Sequence, residues 1–434
     1  MIKENYDVLV IGGGIAGVAI TEIFSRSGHK TLLIEEKDKL CTEASGSHHG
    51  WFHFGSLYSI FPSNQFMRTL IGGVEDLLEY YDGFEGMNLS ISEQKGNILF
   101  SDKKNKWIRD EPINYLVAAR NNEDFKFFKF SNLFDLIKRF IFRLTWEFVI
   151  KQFISRHHRY QKYNWNKKRA SFDIPKAGWL DYSKKYIQKP CNKDFNFNKD
   201  THFLIEGFDR PMNAINIIQD LVKSLISTGA KLSMNCVYKS HKKVNNNQYE
   251  VETSKGSYLV NKIIFTSGKN IQNHVVEKNK YTVMASPLLV VYPSISDQHI
   301  VRLTPFVDKT INHIYHQIGN LKYSVIGGGY AAPIDDEKKI IECQLKLKET
   351  AKKFFKGIND NTFLQTYIGH KTEMISSPGE RNYQYIINEF DENVYSVVPG
   401  KFTLCFSTAI NCYKKVFKKN PEKFVKYNPN IDVN

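Results

Sequence analysis

The feature that most constrains the fold of this chain is a glycine-rich turn close to its N-terminus, within DVLVIGGGIAGVAI. Residues 7–11 form a short, mostly apolar run that is typical of a buried parallel strand. The turn that follows matches G-x-G-x-x-G through Gly12, Gly14 and Gly17, and apolar residues then recur at helical spacing over 15–26. This order predicts a strand, a tight turn and a helix that open an α/β domain.

Each glycine has its own physical role in such a turn. Gly12 permits the turn itself, Gly14 lets the backbone approach a pyrophosphate, and Gly17 allows the helix to pack closely on the strand. Glu35 ends a second predicted strand, where its carboxylate can accept hydrogen bonds from a ribose 2′-OH and repels the 2′-phosphate of NADP. The sequence therefore predicts a site for FAD or NAD, formed by Gly12, Gly14, Ile15, Ala16, Gly17, Glu35 and Glu36.

The composition is that of a soluble globular protein with two closely packed domains. The chain has 434 residues, of which 42% are hydrophobic and 24% are charged. Six cysteines include no C-x-x-C pair, which favours a reducing compartment. We find neither a secretory signal nor a run of about 18 apolar residues, so a cytoplasmic location without a membrane-spanning helix is expected.

The charge of the chain is concentrated in one segment. The net charge is +15, and residues 125–169 contain twelve Lys or Arg residues but only two acidic ones. Apolar residues recur at helical spacing in this segment, which predicts a helix. Three interpretations stay open: a helix packed on its own domain with a solvated basic face, an amphipathic helix on an anionic membrane, and a surface that contacts RNA or protein.

The rest of the chain predicts a mixture of helices and strands. A buried strand over 263–265 ends at Ser267 and Gly268. The other predicted elements are helices over 67–81, 212–227 and 338–355, a hairpin of strands over 232–241 and 248–253, and short strands of an antiparallel sheet over 281–330.

These blocks, in this order, resemble the FAD-dependent oxidoreductases of the D-amino-acid oxidase superfamily, which include the glycerol-3-phosphate dehydrogenase and L-2-hydroxyglutarate dehydrogenase families. A helix, a Gly-Ala turn and a hairpin follow one another in the segment NIIQDLVKSLISTGAKLSMNCVYKSHKKV. The resemblance places Val237 of this segment where the family's backbone contacts adenine. Near the C-terminus, GKFT matches the G-K-x-T loop that closes over the flavin. The resemblance implies FAD as cofactor, with contacts from Val237, Ser267, Gly268, Gly400, Lys401, Phe402 and Thr403.

The segment EASGSHHGWFHFGSLY resembles a further block of the family, with the pattern S-G-x-x-H-x-G. Gly50, His53 and Gly55 fit this pattern, and His49 takes the place of the serine. The resemblance implies that Ser45, Ser47 and Gly50 lie along the cofactor and that His53 faces the flavin. We predict no metal site at His48, His49 and His53, because adjacent histidines on a strand point to opposite faces and no acidic or cysteine cluster completes a ligand set.

Two positions depart from the family's patterns. Leu57 stands where the glycerol 3-phosphate dehydrogenases have the arginine of G-G-L-R-Y. Lys371 stands where the carboxylate-oxidising members often have the arginine of G-x-R-P, and a lysine pairs with an anion as a point charge rather than as a bidentate fork. The sequence therefore does not assign glycerol 3-phosphate or an α-amino acid as the substrate.

The resemblance implies an α/β fold in which a Rossmann-type FAD-binding domain, like that of glutathione reductase, is interleaved with an antiparallel-sheet substrate domain. The expected FAD-binding domain comprises residues 1–100, 203–275 and 365–434. The expected substrate domain comprises residues 101–202 and 276–364, with a basic, aromatic helical insertion at about 125–169.

The activity implied is the oxidation of a C–OH or C–N bond of a small, anionic substrate, with hydride transfer to flavin. His53 is the predicted base, with a structural hydrogen bond as its alternative role, and His370 and Lys371 are predicted to hold or polarise the substrate. Arg302 and Arg381 are either anion-binding residues or solvated surface charges. The electron acceptor stays open, and two alternatives remain: a flavoprotein that acts on nucleic acid such as tRNA, for which the sequence has no RNA-binding module, and a flavin-binding scaffold without turnover.

Overall fold

The computed structural model describes most of the chain. The described residues are 4–53, 57, 69–70, 72–73, 76, 90–92, 99–101, 111–119, 121–127, 133–161, 187–188, 190, 193–207, 209–245, 247–275, 281–306, 309–359, 362–377, 380–382 and 384–422. The predicted helix over 67–81 and Gly55 lie largely or wholly outside these residues.

An eight-stranded sheet forms the first half of the structure, with the order β10-β2-β1-β13-β12-β11, and β22 and β21 beyond β13. The strands β10, β2, β1, β13 and β22 are parallel to one another. Strand β12 is antiparallel to β13 and β11, and β21 is antiparallel to β22. The bounds are β1 Asn5–Ile11, β2 Thr31–Ile34, β10 Lys231–Ser233, β11 Tyr238–Asn245, β12 Gln248–Thr253, β13 Gly256–Phe265, β21 Ile386–Asp391 and β22 Val394–Val398.

Both faces of β1 are buried, as its apolar run predicts. Val8 and Val10 lie on one face of the sheet and pack against three helices. Leu9 and Ile11 lie on the opposite face, in a core that includes residues of β12. The three helices are α1 Ile15–Arg26, α3 Ala214–Ser227 and α5 Cys405–Phe417.

A ten-stranded, mostly antiparallel sheet forms the second half, in the order β20-β19-β14-β17-β16-β15-β6-β8-β7, with β18 on β14. The bounds are β6 Ile113–Ala118, β7 Ile187–Gln188, β8 His202–Glu206, β14 Tyr281–Tyr292, β15 His299–Leu303, β16 Ile311–Ile318, β17 Leu321–Gly328, β18 Ala332–Pro333, β19 Phe363–Ser377 and β20 Glu380–Asn382. Two short pairs complete the described strands: β3 Trp51–Phe52 with β9 Arg210–Pro211, and β4 Ser90–Ser92 with β5 Leu99–Ser101.

Two helices cover opposite faces of the second sheet. Helix α4, Glu337–Phe354, packs on the face that carries Leu116 and Ile300. Helix α2, Leu133–Gln161, packs on the face that carries Val117 and Val301. Residues that are adjacent in a strand point to opposite sides of the sheet, which separates these two cores.

The structure confirms the predicted fold class and the helices over 212–227 and 338–355, as well as the hairpin. Strand pairing differs from the expected domain boundaries at two places, because β8 and β19 both belong to the second sheet. Periodicity predicts that a segment is a strand but not which sheet it joins, and only the long pairing of β19 with β14 decides this. None of the described helices has a stretch long and apolar enough to cross a membrane.

Candidate active site

A cavity of about 810 Å³ lies where the two sheets meet, within the size range of ligand sites. The ends of three parallel strands open into it through Ile11, Ile34 and Thr266. Ligands of parallel α/β sheets bind at this carboxyl edge. The predicted site residues that line the cavity are Gly12, Gly14, Ile15, Ala16, Glu35, Glu36, Ser45, His53, Val237, Ser267, Gly268, His370, Lys371, Gly400, Lys401, Phe402 and Thr403.

The glycine turn is shaped by contacts that exclude side chains. Gly12 has a φ of +106°, and a Cβ there would lie 2.9 Å from the backbone of Thr266 and Ser267. A Cβ on Gly17 would lie only 2.0 Å from the carbonyl oxygen of Gly12. Gly17 is therefore not a lining residue but the residue that lets α1 pack against the turn, as its predicted role requires.

The N-terminus of α1 and the acidic end of β2 meet at this turn. The backbone N–H of Ile15 donates to the Oγ of Ser45 at 2.9 Å, which holds the segment after β2 against the helix. The carboxylate of Glu35 accepts hydrogen bonds from the backbone N–H groups of Gly13 and Lys37. These bonds fix the Glu35 side chain in the cavity wall, and each carboxylate oxygen keeps a lone pair for a further donor.

The backbone of Val237, which is predicted to contact adenine, already makes hydrogen bonds within the protein. The backbone N–H of Val237 donates to the Oγ of Ser254 at 2.9 Å, and its carbonyl oxygen accepts from the N–H of Ser254 at 2.8 Å. A carbonyl oxygen has a second lone pair, whereas an N–H group donates only once. The carbonyl of Val237 is thus the backbone group that remains able to bind a base.

The loop before α5 forms another wall of the cavity. Gly400 has a φ of +68°, which favours glycine, and a 3₁₀ turn over Phe402–Leu404 leads directly into α5. The ring of Phe402 lies against that of His48, with 4.6 Å between their centroids. The loop that lines the cavity is thus followed at once by the N-terminus of α5, whose partial positive charge favours negative charge nearby.

Several buried polar atoms of the lining have no hydrogen-bond partner among the described residues. They are the Oγ of Ser267, the Oγ1 of Thr403, and the Nε2 atoms of His48 and His49. Buried polar atoms are almost always hydrogen-bonded in folded proteins. These four atoms come from separate segments that the cavity joins, so a polar cofactor bound along it would satisfy them.

Burial keeps the histidines of this site neutral. Burial and the neighbouring His316 lower the pKa of His48 to about 4. Burial lowers the pKa of His53 well below its usual value, and the positive charges of Lys401 and Lys371 act in the same direction. The pKa of His49 is lowered in the same way. The cavity therefore presents neutral imidazoles beside two ammonium groups.

Asp209 is a site residue that the sequence analysis missed. Its fully buried carboxylate accepts hydrogen bonds from the Nε1 of Trp51 at 3.0 Å and from the hydroxyl of Tyr115 at 2.5 Å. It lies 4.0 Å from the Nδ1 of His53, whose ring stacks on Trp51. A single aspartate between two short strands gives no periodic signal, so only the fold brings it to His53.

The two predicted substrate residues on β19 both line the cavity but have different neighbours. His370 lies 3.9 Å from the carboxylate of Glu43, which forms an ion pair with Lys269 at 2.7 Å. Lys371 acts instead on the pKa values of His49 and His53. Leu57, where related enzymes have an arginine, also lines the cavity.

Two other predicted residues support the site from outside the lining. The Oγ of Ser47 donates to the carbonyl oxygen of Glu43 at 3.0 Å. Gly50 has a φ of +77°, and its N–H donates to the Nδ1 of His48 at 2.9 Å. These hydrogen bonds fix the backbone conformation of the histidine segment.

Arg302 lies in a structural ion pair, with its Nη2 2.7 Å from the Oδ2 of Asp124. Arg302 was predicted to be either an anion-binding residue or a solvated surface charge. Its pairing with the buried Asp124 supports neither role. Among the described residues, no group of three His, Cys, Asp or Glu side chains is arranged to hold a metal ion.

Comparison with known proteins gives a family match over the N-terminal part of the chain. Residues 7–107 match the family described as FAD dependent oxidoreductase. Over these residues, less than a quarter of the chain, the protein is similar to FAD-dependent oxidoreductases. The glycine turn, Glu35 and the unpartnered polar atoms described above fit FAD, the cofactor that the matched family is named for.

Solved structures share the fold over nearly the whole chain. The dithionite-reduced L-α-glycerophosphate oxidase of Mycoplasma pneumoniae with FAD bound is 16% identical, with a TM-score of 0.64 over 98% of this chain and 99% of that chain. The glycine oxidase of Geobacillus kaustophilus is 11% identical, with a TM-score of 0.59 over 99% and 100%. At these identities the likeness establishes the fold of this chain and not its substrate.

Similar curated proteins match only over short segments. Digeranylgeranylglycerophospholipid reductase of Sulfolobus acidocaldarius is 35% identical over 81 residues, which are 17% of this chain and 17% of that protein. The tRNA 5-methylaminomethyl-2-thiouridine biosynthesis bifunctional protein MnmC of Burkholderia mallei is 40% identical over 50 residues, or 12% of this chain and 8% of that protein. The chain thus matches less than a fifth of the length of these relatives.

Proposed function

We propose that this flavoenzyme oxidises a C–OH or C–N bond of a small, anionic substrate, with hydride transfer to the flavin. The observation that carries the proposal is the grouping of neutral His49 and His53 with the ammonium groups of Lys371 and Lys401 at one end of the cavity. Bound FAD supplies the hydride acceptor. The residues of this chain supply binding, orientation and a proton acceptor.

The two lysines provide the anion selectivity in this proposal. The positive charges of Lys371 and Lys401 both lower the pKa of His53, which supports a shared role of the two lysines beside this imidazole. A substrate carboxylate or phosphate placed there would be attracted by both charges, more strongly than in water because the site is partly desolvated. Lysine pairs with either anion without demanding a bidentate geometry, so the charge alone does not select between them.

His53 is the proton acceptor in this proposal. Its depressed pKa keeps the imidazole neutral across the physiological range, so the accepting form is present before the substrate binds. Asp209 then acts as a positioning residue, because its carboxylate is 4.0 Å from Nδ1 and favours the protonated imidazole once a proton is taken up. His370 stays a prediction for substrate contact, from its position beside Glu43 and Lys269.

Anaerobic reduction of the purified, FAD-loaded protein tests the proposal. Small 2-hydroxy acids, amino acids and glycerol 3-phosphate are added in turn, and the loss of the visible absorbance of oxidised flavin is followed. We expect at least one anionic compound to reduce the flavin, and the His53→Gln variant to do so roughly 10²–10⁴-fold more slowly with its flavin retained.

A charge variant separates anion binding from other effects. Lys371→Met is expected to raise the substrate concentration needed for half-maximal reduction by an anion but not by its neutral amide or ester. Lys338→Met, at an exposed position of α4, serves as the control and should behave like the unmodified protein. Reduction by neutral compounds alone, or no reduction by any of these alcohols and amines, would contradict the proposed function.

A further inference from the structure

Helix α2 has two apolar faces, one buried against the second sheet and one exposed. Ile150 and Phe153 are buried against the second sheet, beside Ile113 and Tyr115 of its core. The indole Nε1 of Trp146 on the same side donates to the carbonyl oxygen of Ala118 at 2.8 Å, and Trp146 also lines the cavity. This face fixes α2 to the second sheet.

The opposite face is a continuous apolar stripe on the surface. Five large apolar side chains on it are between 40% and 62% exposed. Their spacing of three, four, seven and eleven residues from the first one places them on a single side of the helix. We call this set the exposed stripe, and it consists of Ile137, Phe140, Ile141, Leu144 and Phe148.

The segment of sequence that contains the exposed stripe is strongly basic. Residues 125–169 contain twelve Lys or Arg residues and two acidic ones, so most of the net charge of +15 comes from this segment. Lys138 is exposed beside the stripe, and Lys151 is partly exposed in an ion pair with Glu147 at 3.2 Å. An apolar stripe with basic neighbours is complementary to an anionic lipid surface, which has an apolar interior beneath negative headgroups.

We propose that the exposed stripe docks α2 on the surface of an anionic lipid bilayer. The stripe would lie at the boundary between headgroups and acyl chains, and the basic residues would contact the headgroups. A second copy of this chain fits less well, because a symmetric contact would bring two segments of like charge together. RNA also fits less well, because phosphates offer nothing to five aliphatic and aromatic side chains.

This docking has a consequence for the cavity. Trp146 lines the cavity from the side of α2 that faces the protein, and the exposed stripe lies on the other side. A helix with its side chains is about 10 Å in diameter, so docking would bring this wall of the cavity within that distance of the bilayer. The proposal does not depend on the substrate, because it rests on the surface of α2 alone.

Flotation with lipid vesicles tests the proposal on the full-length, FAD-loaded protein. We expect binding to phosphatidylcholine vesicles that contain phosphatidylserine, little binding to phosphatidylcholine alone, and weaker binding when salt is raised from about 0.05 M to about 0.5 M. The double variant Phe140→Ser/Phe148→Ser should bind roughly tenfold or more weakly, since two apolar side chains no longer enter the bilayer.

A matched control variant makes the result specific. Ile341 and Leu345 are both 55% exposed on α4, at the other face of the second sheet. Ile341→Ser/Leu345→Ser should bind vesicles like the unmodified protein, and both double variants should keep their flavin absorbance. Equal losses in the two double variants, equal binding to neutral vesicles, or no binding to anionic vesicles at low salt would each overturn the proposal.

Two further outcomes would identify a different occupant. A dimer that forms in solution and is lost in the Phe140→Ser/Phe148→Ser variant, without vesicle binding, would show a second copy on the exposed stripe. Salt-sensitive binding of RNA that the same variant retains, without vesicle binding, would show a nucleic-acid surface. Either result would overturn docking on a bilayer, and neither would change the expected reduction of the flavin by its substrate.

Discussion

Gly17→Ala tests the role of the glycine turn most directly. A Cβ at this position would lie 2.0 Å from the carbonyl oxygen of Gly12 and 2.6 Å from the Oγ1 of Thr266, whereas real Cβ contacts essentially never fall below 3.0 Å. The first turn of α1 must therefore move away from the Gly12 carbonyl by about 1 Å. The hydroxyl of Thr266 donates to the same carbonyl at 2.7 Å, so the movement disturbs the end of β13 as well.

The sign of the stability change separates two physical effects. At an unobstructed helical position, replacing glycine by alanine stabilises a protein by roughly 1 kcal/mol. Overpacking of a dense site costs roughly 1–3 kcal/mol, and here the obstructing atom is backbone that has no alternative rotamer. The difference is a net loss of up to about 2 kcal/mol in the free energy of unfolding. We also expect weaker FAD binding, because the displaced turn is the one predicted to approach the pyrophosphate.

The assay measures the thermal unfolding midpoint and the affinity of the apoprotein for FAD from flavin fluorescence. Ala19→Gly on the same helix is the control, because Ala19 is buried and its loss of propensity and of one methyl group costs roughly 2 kcal/mol without touching the turn. Gly17→Ala should bind FAD more weakly than this control at similar stability. Unchanged FAD affinity in Gly17→Ala would refute the reasoning.

Three further predictions concern buried ionisable groups. Burial lowers the pKa of His313 to about 4. Below about pH 6.5 the unfolded chain therefore binds a proton at this residue that the folded chain does not bind. The free energy of unfolding should be constant in this respect above about pH 6.5 and fall by ~2 kcal/mol toward pH 5. Urea unfolding should show a flatter pH dependence for His313→Gln. Asp124→Asn should lower the thermal midpoint, with a cost of ~2–4 kcal/mol from unpaired Arg302, and leave the rate of flavin reduction unchanged. Asp209→Asn should retain FAD but slow flavin reduction and alter its pH dependence, and an unaltered pH profile would remove Asp209 from its positioning role.

Short-range patterns predicted much of the FAD site. The turn at Gly12, the helix that begins at Ile15 and the acid at the end of β2 are local features, because each depends on residues within about 35 positions of one another. The loop at Gly400 and the histidine segment were found only through their resemblance to a family. The structure places most of these predicted residues in one cavity.

The contacts that complete the site are long-range and have no sequence period. Asp209 reaches His53 across more than 150 positions, and Arg302 pairs with Asp124 across 178. A helical wheel of α2 shows apolar residues on both sides, so periodicity could not decide which side the protein buries. The sequence by itself determined that the cofactor is a dinucleotide, because the glycine turn imposes local requirements on the backbone. Only the tertiary structure decided which charges surround His53 and which face of α2 stays exposed, because both depend on which distant strands pack beside them.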